Sequence, residues 1–534
     1  MVPLARTQLA PEFDEPFVHG AVLAACSRHV EKTALIDTSL ATNDLHHRIT
    51  YGEYAALLGD LACGFVAAGL QLGEVVAIFL PNSWEFAAAY HAATLAQLIP
   101  TPLNPHYRER EVRYQLECSE AVCLITDAPT ITGMDLSGMP ALRRAYVTRG
   151  NAPGFERFAT LLRKGSNARL PAPIAPSSET LAALPFSSGT TGLPKGVMLT
   201  HDNLVVNCRQ FLAPGELATN RSDDVLLCFL PLYHIYGLNV LLNPSLMTGG
   251  TVVLTPRFDV AQCAKQVCDY GVTWLNLVPP VMNAICNAAE RGEFPRAGEH
   301  PIRGTKSGAA PLAPDLPRRY TGLTGIPVRQ GYGMTEASPV THLGYIEPQR
   351  YRPDSIGQIV AATDHRIVRD DGSDAAPNEP GELLMRGPQF MRGYWRNQQA
   401  TDEVLRDGWY YSGDVATADE DGFFKIVDRR KELIKYKGFP IAPAEVEAVL
   451  LEHPAVRDCG VVGRRDDECG EVPVAFVVVS ESAGTREAQL RSELPAWVAE
   501  RLIGYKQPRE VRFVSAIPRN PSGKVLRKDL RAQL

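Results

Sequence analysis

The chain has 534 residues, of which 45% are hydrophobic and 21% charged, and its formal net charge is −6. A chain this long outgrows one hydrophobic core, which predicts at least two domains with room for a cleft, and the composition excludes a disordered protein. The negative balance excludes a general nucleic-acid or anionic-membrane surface and leaves small anions as the expected partners.

Residues 1–17 carry Pro3, Pro11, Glu12, Asp14 and Glu15 and lack the apolar core of a secretion signal. From Thr50 the chain alternates helix and strand signals. Thr50 and Glu53 form a capping box ahead of Leu57, Leu61 and Phe65 at helical spacing, and that helix ends near Gly69. The run 75–80 predicts a buried strand, Asn82 with Glu85 a second helix cap, and 99–102 another strand. Further strands are expected at 122–125, 181–186, 225–229, 251–254 and 273–277, the alternation of an α/β fold with a largely parallel sheet.

After the 181–186 run comes Ser187-Ser188-Gly189-Thr190-Thr191-Gly192-Leu193-Pro194-Lys195-Gly196. Its hydroxyls and glycine amides suit phosphate oxygens, and Lys195 adds a full positive charge. It is not a Walker A loop, because Pro194 precedes the lysine and Gly196 follows it. The expected position is the carboxyl end of a parallel strand, where ligands bind in such sheets.

From Ser355 the pattern turns to short strands such as 382–386 and turn-rich segments, predicting a more antiparallel region. Asp421-Gly422 signals a hairpin. The charged run Asp428-Arg429-Arg430-Lys431-Glu432 marks a domain boundary, beyond which a helix at 444–451, a strand pair around Val461 and 474–479, and a helix begun by Thr485 make a small α+β unit. No run reaches the roughly 18 apolar residues of a membrane span. Arg531-Ala532-Gln533-Leu534 is not a peroxisomal signal. The 11 cysteines form no Cys-x-x-Cys pair and read as thiols of a reducing compartment, so a cytoplasmic protein is expected.

Six segments, in order and at matching spacing, resemble the adenylate-forming superfamily of acyl-CoA synthetases, luciferases and adenylation domains. They are the Ser187 loop, Pro231-Leu232-Tyr233-His234-Ile235-Tyr236-Gly237, Gln330-Gly331-Tyr332-Gly333-Met334-Thr335-Glu336, Tyr411-Ser412-Gly413-Asp414, the 428–438 run ending Lys435-Tyr436-Lys437-Gly438, and Pro521-Ser522-Gly523-Lys524. Lys306-Ser307-Gly308-Ala309-Ala310-Pro311 and Lys435-Tyr436-Lys437-Gly438 are most similar to 4-coumarate:CoA ligases and bacterial acyl-CoA ligases.

The resemblance implies a large multi-layer N-terminal domain, residues 1–430, with mostly parallel sheets and a β-rich subdomain. It also implies a small mobile α+β C-terminal domain, residues 431–534, hinged near Lys431. The implied reaction joins a carboxylate to ATP, releasing pyrophosphate, and then passes the acyl group from the adenylate to coenzyme A. By resemblance the ATP and AMP set is Ser187, Ser188, Gly189, Thr190, Thr191, Gly192, Lys195, Gly331, Tyr332, Thr335, Asp414, Arg429, Lys431 and Lys435. Within it Thr335 contacts the α-phosphate, Tyr332 stacks on adenine, and Asp414 with Arg429 holds the ribose. Glu336 is the implied magnesium ligand. Lys524 places an ammonium between the two reacting anions, so Lys524, His234 and Thr335 are the implied catalytic residues.

Arg257, Lys437 and Gly438 are the implied coenzyme A contacts, with Gly438 admitting the thiol arm. One departure is Pro440, where the 4-coumarate ligase pattern carries glutamine; proline brings no amide donor. The implied acyl pocket comprises His234, Tyr236, Val240, Lys306, Ala309, Gly331, Gly333, Pro339 and Val340. Its small residues leave a slot for a flat aryl acid or an unbranched chain. Lys306 would meet a ring hydroxyl through water or form a salt bridge at the rim. An aryl or arylpropenoic acid is the expected substrate, with a medium- or long-chain fatty acid, a carrier-protein acceptor or luciferase-like oxygenation as alternatives. A noncatalytic nucleotide-binding scaffold is opposed by Glu336, Asp414 and Lys524. The expected assembly is a monomer or homodimer.

Overall fold

The computed structural model describes residues 15–165, 180–187, 194–212, 221–310, 312–347, 349–429, 432–436, 439–466, 469–480, 487–502, 504–519 and 524–534. The fold is α/β. Five strands, Ile99–Pro102, Val75–Phe79, Cys123–Thr126, Arg144–Val147 and Glu156–Arg157, lie side by side in that order and all pair in parallel. The helix Tyr51–Ala67 starts where expected. The Thr50 hydroxyl accepts from the Glu53 amide at 3.2 Å and Glu53 Oε2 accepts from the Thr50 amide at 2.7 Å, closing the capping box.

A larger sheet runs Gln358–Ile359, Val340–Leu343, Val328–Gly333, Gly304–Ser307, Trp274–Leu277, Val225–Cys228, Thr251–Leu254, Thr33–Asp37 and Arg48–Thr50. It is parallel from Val328–Gly333 to Thr33–Asp37 and antiparallel at both margins. The helix Trp84–Leu95 is buried on nearly every face, because it contacts strands of both sheets.

The Asn82 expectation is corrected. Ser83 caps that helix, accepting from the Phe86 amide at 3.3 Å. Buried Asn82 instead donates to the Cys228, Leu230 and Thr255 carbonyls at 3.1, 2.9 and 3.2 Å, and accepts from the Leu232 amide at 2.8 Å. A buried amide is favoured only when its donors and acceptors find partners, and the segment 228–232 together with Thr255 supplies them at both ends of the Asn82 amide.

The 181–186 run is also corrected, since it is two strands rather than one. Leu181–Ala183 pairs with Leu199–Thr200 and Phe186–Ser187 with Lys195–Gly196, both antiparallel. Pro185, with no amide to donate, marks the break. The phosphate-loop segment therefore spans a hairpin and does not leave the end of a parallel strand.

Antiparallel strands dominate beyond Ser355, as expected. Asp364–Val368, Gly381–Arg386 and Trp409–Ala418 pair in series, and Phe424–Arg429 folds back on Trp409–Ala418 through the turn at Gly422, φ 77°. From Ile434 onward a further sheet takes Phe439–Ile441, Ile434–Tyr436, Gly470–Val479 and Val456–Asp466 in order, with Glu510–Phe513 parallel to Gly470–Val479. The helices Pro443–Leu451 and Glu487–Arg501 flank it. Two apolar clusters, one around Val446, Leu450, Val461 and Leu494 and the other around Val462, Phe476 and Leu530, draw their buried members from residues 434–530. All 11 cysteines are free thiols.

Candidate functional site

The hairpin sets Ser187 directly opposite Lys195. Ser188, Gly189, Thr190, Thr191 and Gly192 lie outside the described residues. The Ser187 hydroxyl donates to Glu336 Oε1 at 2.8 Å, and the Tyr394 hydroxyl donates to the same oxygen at 2.9 Å. Glu336 sits in the single turn Thr335–Ala337, and its carbonyl accepts from the Met391 amide at 2.8 Å. Lys195 Nζ stands 5.4 Å from the Tyr394 ring centroid. One ammonium, one carboxylate and two hydroxyl donors thus meet at the mouth of the loop.

Burial and the adjacent Glu336 charge push the Tyr394 phenol up, so it remains a proton donor at neutral pH. Tyr410, bonded to Tyr394, is pushed up for the same two reasons in the same order. The segment carrying Tyr394 is stitched to the far side of the hairpin by Trp395 amide to Gly196 carbonyl at 2.7 Å and Met198 amide to Gly393 carbonyl at 3.0 Å. Sequence reasoning missed Tyr394, because Arg392-Gly393-Tyr394-Trp395 carries no periodicity or motif that marks it.

Both hydrogen bonds to Glu336 fall on Oε1, and none falls on Oε2 among the described residues. No cluster of three His, Cys, Asp or Glu side chains is present among the described residues. A lone carboxylate beside phosphate donors fits magnesium, which usually takes one or two carboxylates and completes its shell with substrate phosphates and water.

A second cluster gathers the residues expected at the nucleoside. The Tyr332 hydroxyl donates to Asp414 Oδ2, Asp414 is almost fully buried, and Arg429 is its cross-strand partner. The Asp414 amide donates to the Ser412 hydroxyl at 3.1 Å. The expectation for Tyr332 concerned its ring; what the structure shows is its hydroxyl holding the Asp414 carboxylate.

Three of the residues expected at the acyl pocket, His234, Tyr236 and Val240, lie in the turns that follow Pro231. The Tyr236 amide donates to His234 Nδ1 at 3.2 Å, which assigns the His234 proton to Nε2. Burial pulls His234 down to about 4, so its ring is neutral at physiological pH. Gly237 opens a π-helical turn, Gly237–Leu242, that buries Val240; a Cβ at Gly237 would lie 2.2 Å from the Pro231 carbonyl oxygen. Pro339 and Val340 are buried, while Ala309 and Gly333 are exposed and Gly331 is half-buried.

Asn207 grips Val340 through both backbone groups, donating to its carbonyl at 2.7 Å and accepting from its amide at 3.0 Å. Asn239 donates to the Ser338 carbonyl at 2.7 Å. Neither asparagine was legible as a site residue, since an Asn inside a helical pattern gives no sign of its partner. Lys306 departs from the rim position allowed for it: the residue is 3% exposed, with Nζ 5.5 Å from the Phe211 ring and 5.8 Å from the Trp274 ring. Its strand, Gly304–Ser307, lies inside the large sheet and is buried along its whole length.

Those of the remaining predicted residues that the structure describes lie on other segments of the chain. Arg257 is exposed beyond Thr251–Leu254. Lys435 lies in Ile434–Tyr436 with Pro440 as its cross-strand partner. Lys524 is half-buried next to Val525, which bridges to Arg519 and packs on the Val462 cluster. Lys431, Lys437 and Gly438 lie outside the described residues.

Residues 22–395 match the AMP-binding enzyme family and residues 445–524 the AMP-binding enzyme C-terminal domain. The chain is 38% identical over 525 residues to 4-coumarate--CoA ligase 5 of Oryza sativa subsp. japonica, covering 97% of this chain and 94% of that protein. It is similar to the crystal structure of ATP-bound MatB from Rhodopseudomonas palustris, with a TM-score of 0.84 and 27% identity over 97% of this chain and 99% of that one. It is also similar to o-succinylbenzoate CoA synthetase from Bacillus subtilis in complex with its acyl-adenylate intermediate, with a TM-score of 0.80 and 30% identity over 96% and 97% of the two chains. Among the described residues no helix is long and apolar enough to cross a membrane.

Proposed function

Because this chain belongs to the AMP-binding enzyme family, we propose that it is an ATP-dependent carboxylic acid:CoA ligase acting on an aryl or arylpropenoic acid. The observation that carries this reading is the convergence of Ser187 and Tyr394 on Glu336, with Lys195 over the Tyr394 ring, an arrangement that suits a polyphosphate and a cation and is not of Walker type. Similarity to 4-coumarate--CoA ligases over nearly the whole chain supports the substrate class and the CoA acceptor.

In the first half-reaction a carboxylate oxygen attacks the α-phosphorus and the bond to the β-phosphate oxygen breaks, releasing pyrophosphate. Lys195 and the loop hold the departing charge, where donors fixed in advance act most strongly. Thr335 positions the α-phosphate, and Lys524 offsets the repulsion between the two anions. Asp414, oriented by Tyr332, accepts from the two ribose hydroxyls, with Arg429 beside it. Glu336 would hold magnesium, which when bound neutralises phosphate charge.

In the second half-reaction the coenzyme A sulfur, having lost its proton, attacks the acyl carbon and AMP leaves with the bonding electron pair. Neutral His234 lines the acyl slot without adding charge. We assign the C-terminal unit, residues 431–534, the role of a lid turning near Lys431. It presents Lys524 for adenylation, and Lys435, Lys437 and Gly438, with Arg257 of the large domain, for thioester formation. One chain holds every residue invoked, so a monomer suffices for activity. Acid-dependent exchange of labelled pyrophosphate into ATP tests the first half-reaction; exchange that ignores the acid would contradict the reading.

A further inference from the structure

The chain on either side of Lys524 is fastened to a single strand, Val456–Asp466. That strand ends its sheet, with Gly470–Val479 on one side and no strand on the other among the described residues. An edge strand presents backbone N–H and C=O groups that need partners. Val461 finds both in side chains: its amide donates to Glu447 Oε1 at 2.8 Å, and its carbonyl accepts from Arg527 Nε at 3.2 Å. Arg527 Nη2 closes the triangle, donating to Glu447 Oε1 at 2.9 Å and to Oε2 at 2.8 Å.

Arg519, on the other side of Lys524, reaches the same strand and donates to Asp458 through Nη2 at 2.6 Å and Nε at 3.3 Å. Arg519 and Val525 bridge antiparallel, and the Leu526 amide donates to the Pro518 carbonyl at 2.8 Å. Residues 518–519 and 525–526 are thus held side by side, with Lys524 next to the junction. Between the two arginine contacts Val525 and Leu530 press on the strand itself. A Cβ at Gly460 would lie 2.7 Å from Leu530 Cδ1 and 3.3 Å from Val525 Cγ1.

The side chains of Arg527 and Glu447 are 10% and 12% exposed. Taking two charges out of water offsets most of what their attraction returns, so such a pair is weak support for stability alone. What it supplies is geometry, because the planar arginine fork fixes direction and distance where a lysine ammonium does not. A cation set between two reacting anions depends on that geometry, since a misplacement of about 1 Å costs on the order of a hundredfold in rate. The four-carbon stem of Lys524 is flexible, so the backbone that carries it is what the fold can fix.

We propose that Arg527, held by Glu447 on the open edge of Val456–Asp466, is a positioning residue that sets Lys524 for adenylate formation. The inference rests on the acid:CoA ligase reading and on the role assigned there to Lys524. Arg527 acts through the backbone that carries the ammonium and not on substrate. Lys435, Lys437 and Gly438 are assigned to thioester formation in the same C-terminal unit. A general loss of order in that unit would therefore impair both half-reactions, whereas a displaced Lys524 impairs only the first.

Arg527→Lys keeps the charge and loses the fork. Arg527→Met combined with Glu447→Leu removes both charges and leaves neither buried alone, and thermal unfolding checks that each variant folds. Acid-dependent pyrophosphate release is expected to fall by roughly tenfold to a hundredfold in both, while thioester formation from supplied acyl-adenylate stays near the wild-type rate. The loss is expected in kcat, with KM for ATP and for the acid little changed, because most residues assigned to bind them lie in the large domain. Equal losses in both half-reactions, or undiminished pyrophosphate release by either folded variant, overturn the inference and leave the ligase reading intact. A wild-type chain that releases no pyrophosphate with any acid overturns the ligase reading and this inference with it.

Discussion

Ser187 and Glu336, 149 positions apart in the chain, are joined by a 2.8 Å hydrogen bond that fixes the mouth of the phosphate loop to the candidate magnesium ligand. Tyr394 closes the same contact from the other side at 2.9 Å while its ring faces Lys195. Under the proposed function, metal and phosphate binding therefore share one support. Glu336→Gln keeps the shape and removes the charge, so pyrophosphate release is expected to fall by roughly 10²–10³. Tyr394→Phe keeps the ring beside Lys195 and loses one bond to a charged group, for an expected loss of about tenfold that extra magnesium partly restores. Magnesium titrations of both variants check the pair; equal, magnesium-independent losses would separate Tyr394 from the metal.

The two half-reactions are expected to fail separately. Lys524→Ala should abolish adenylate formation while largely sparing thioester formation from supplied acyl-adenylate. Gly438→Trp should do the reverse, blocking thioester formation while pyrophosphate release survives. Single-turnover assays of each half-reaction check this; equal losses in both for Lys524→Ala would remove its assigned role.

Gly333 faces the backbone of the strand it pairs with, and a Cβ there would lie 2.0 Å from the Pro339 carbonyl oxygen. Gly333→Ala must part that strand pair at the acyl wall. The expected result is a stability loss of about 1–3 kcal/mol together with a raised KM for the acid, read by thermal unfolding and pyrophosphate release.

His201 is buried, its Nδ1 accepts from the Val18 amide at 3.1 Å, and burial, followed by repulsion from His19, pulls it from 6.5 down to about 3. The unfolded chain takes up this proton as pH falls below about 6.5, whereas the folded chain does not until about 3. Stability is therefore lost across that window as pH falls and is fully present above it. His201→Asn keeps an acceptor and removes the titration. It should flatten the pH dependence of unfolding between pH 6 and pH 4 by up to about 1.4 kcal/mol per pH unit, as measured by denaturant unfolding.

The helix and strand alternation was legible because buried strands such as Val75–Phe79 are short unbroken apolar runs and because Thr50 and Glu53 lie at capping spacing. The family was legible because its chemistry is written in contiguous motifs. What escaped were contacts between segments far apart in sequence. Asn82 looked like a local cap, but its partners are some 150 residues away, and a local pattern cannot report them. The break at Pro185 was hidden by an apolar run that suits one strand as well as two. Tyr394 and Asn207 act through a carboxylate and a backbone that folding alone brings to them. Lys306 is the sharpest case: a lysine on a pocket wall is expected at the rim, yet the pleat of Gly304–Ser307 turns it into the core.

The proposed activity is tested most directly by the fate of ATP. Incubating the chain with ATP, magnesium, coenzyme A and a panel of aryl, arylpropenoic and aliphatic acids, with products resolved by mass, should yield AMP, pyrophosphate and acyl-CoA in equal amounts, and only when an acid is present. Formation of ADP and phosphate, or AMP without any acyl-CoA, would contradict it.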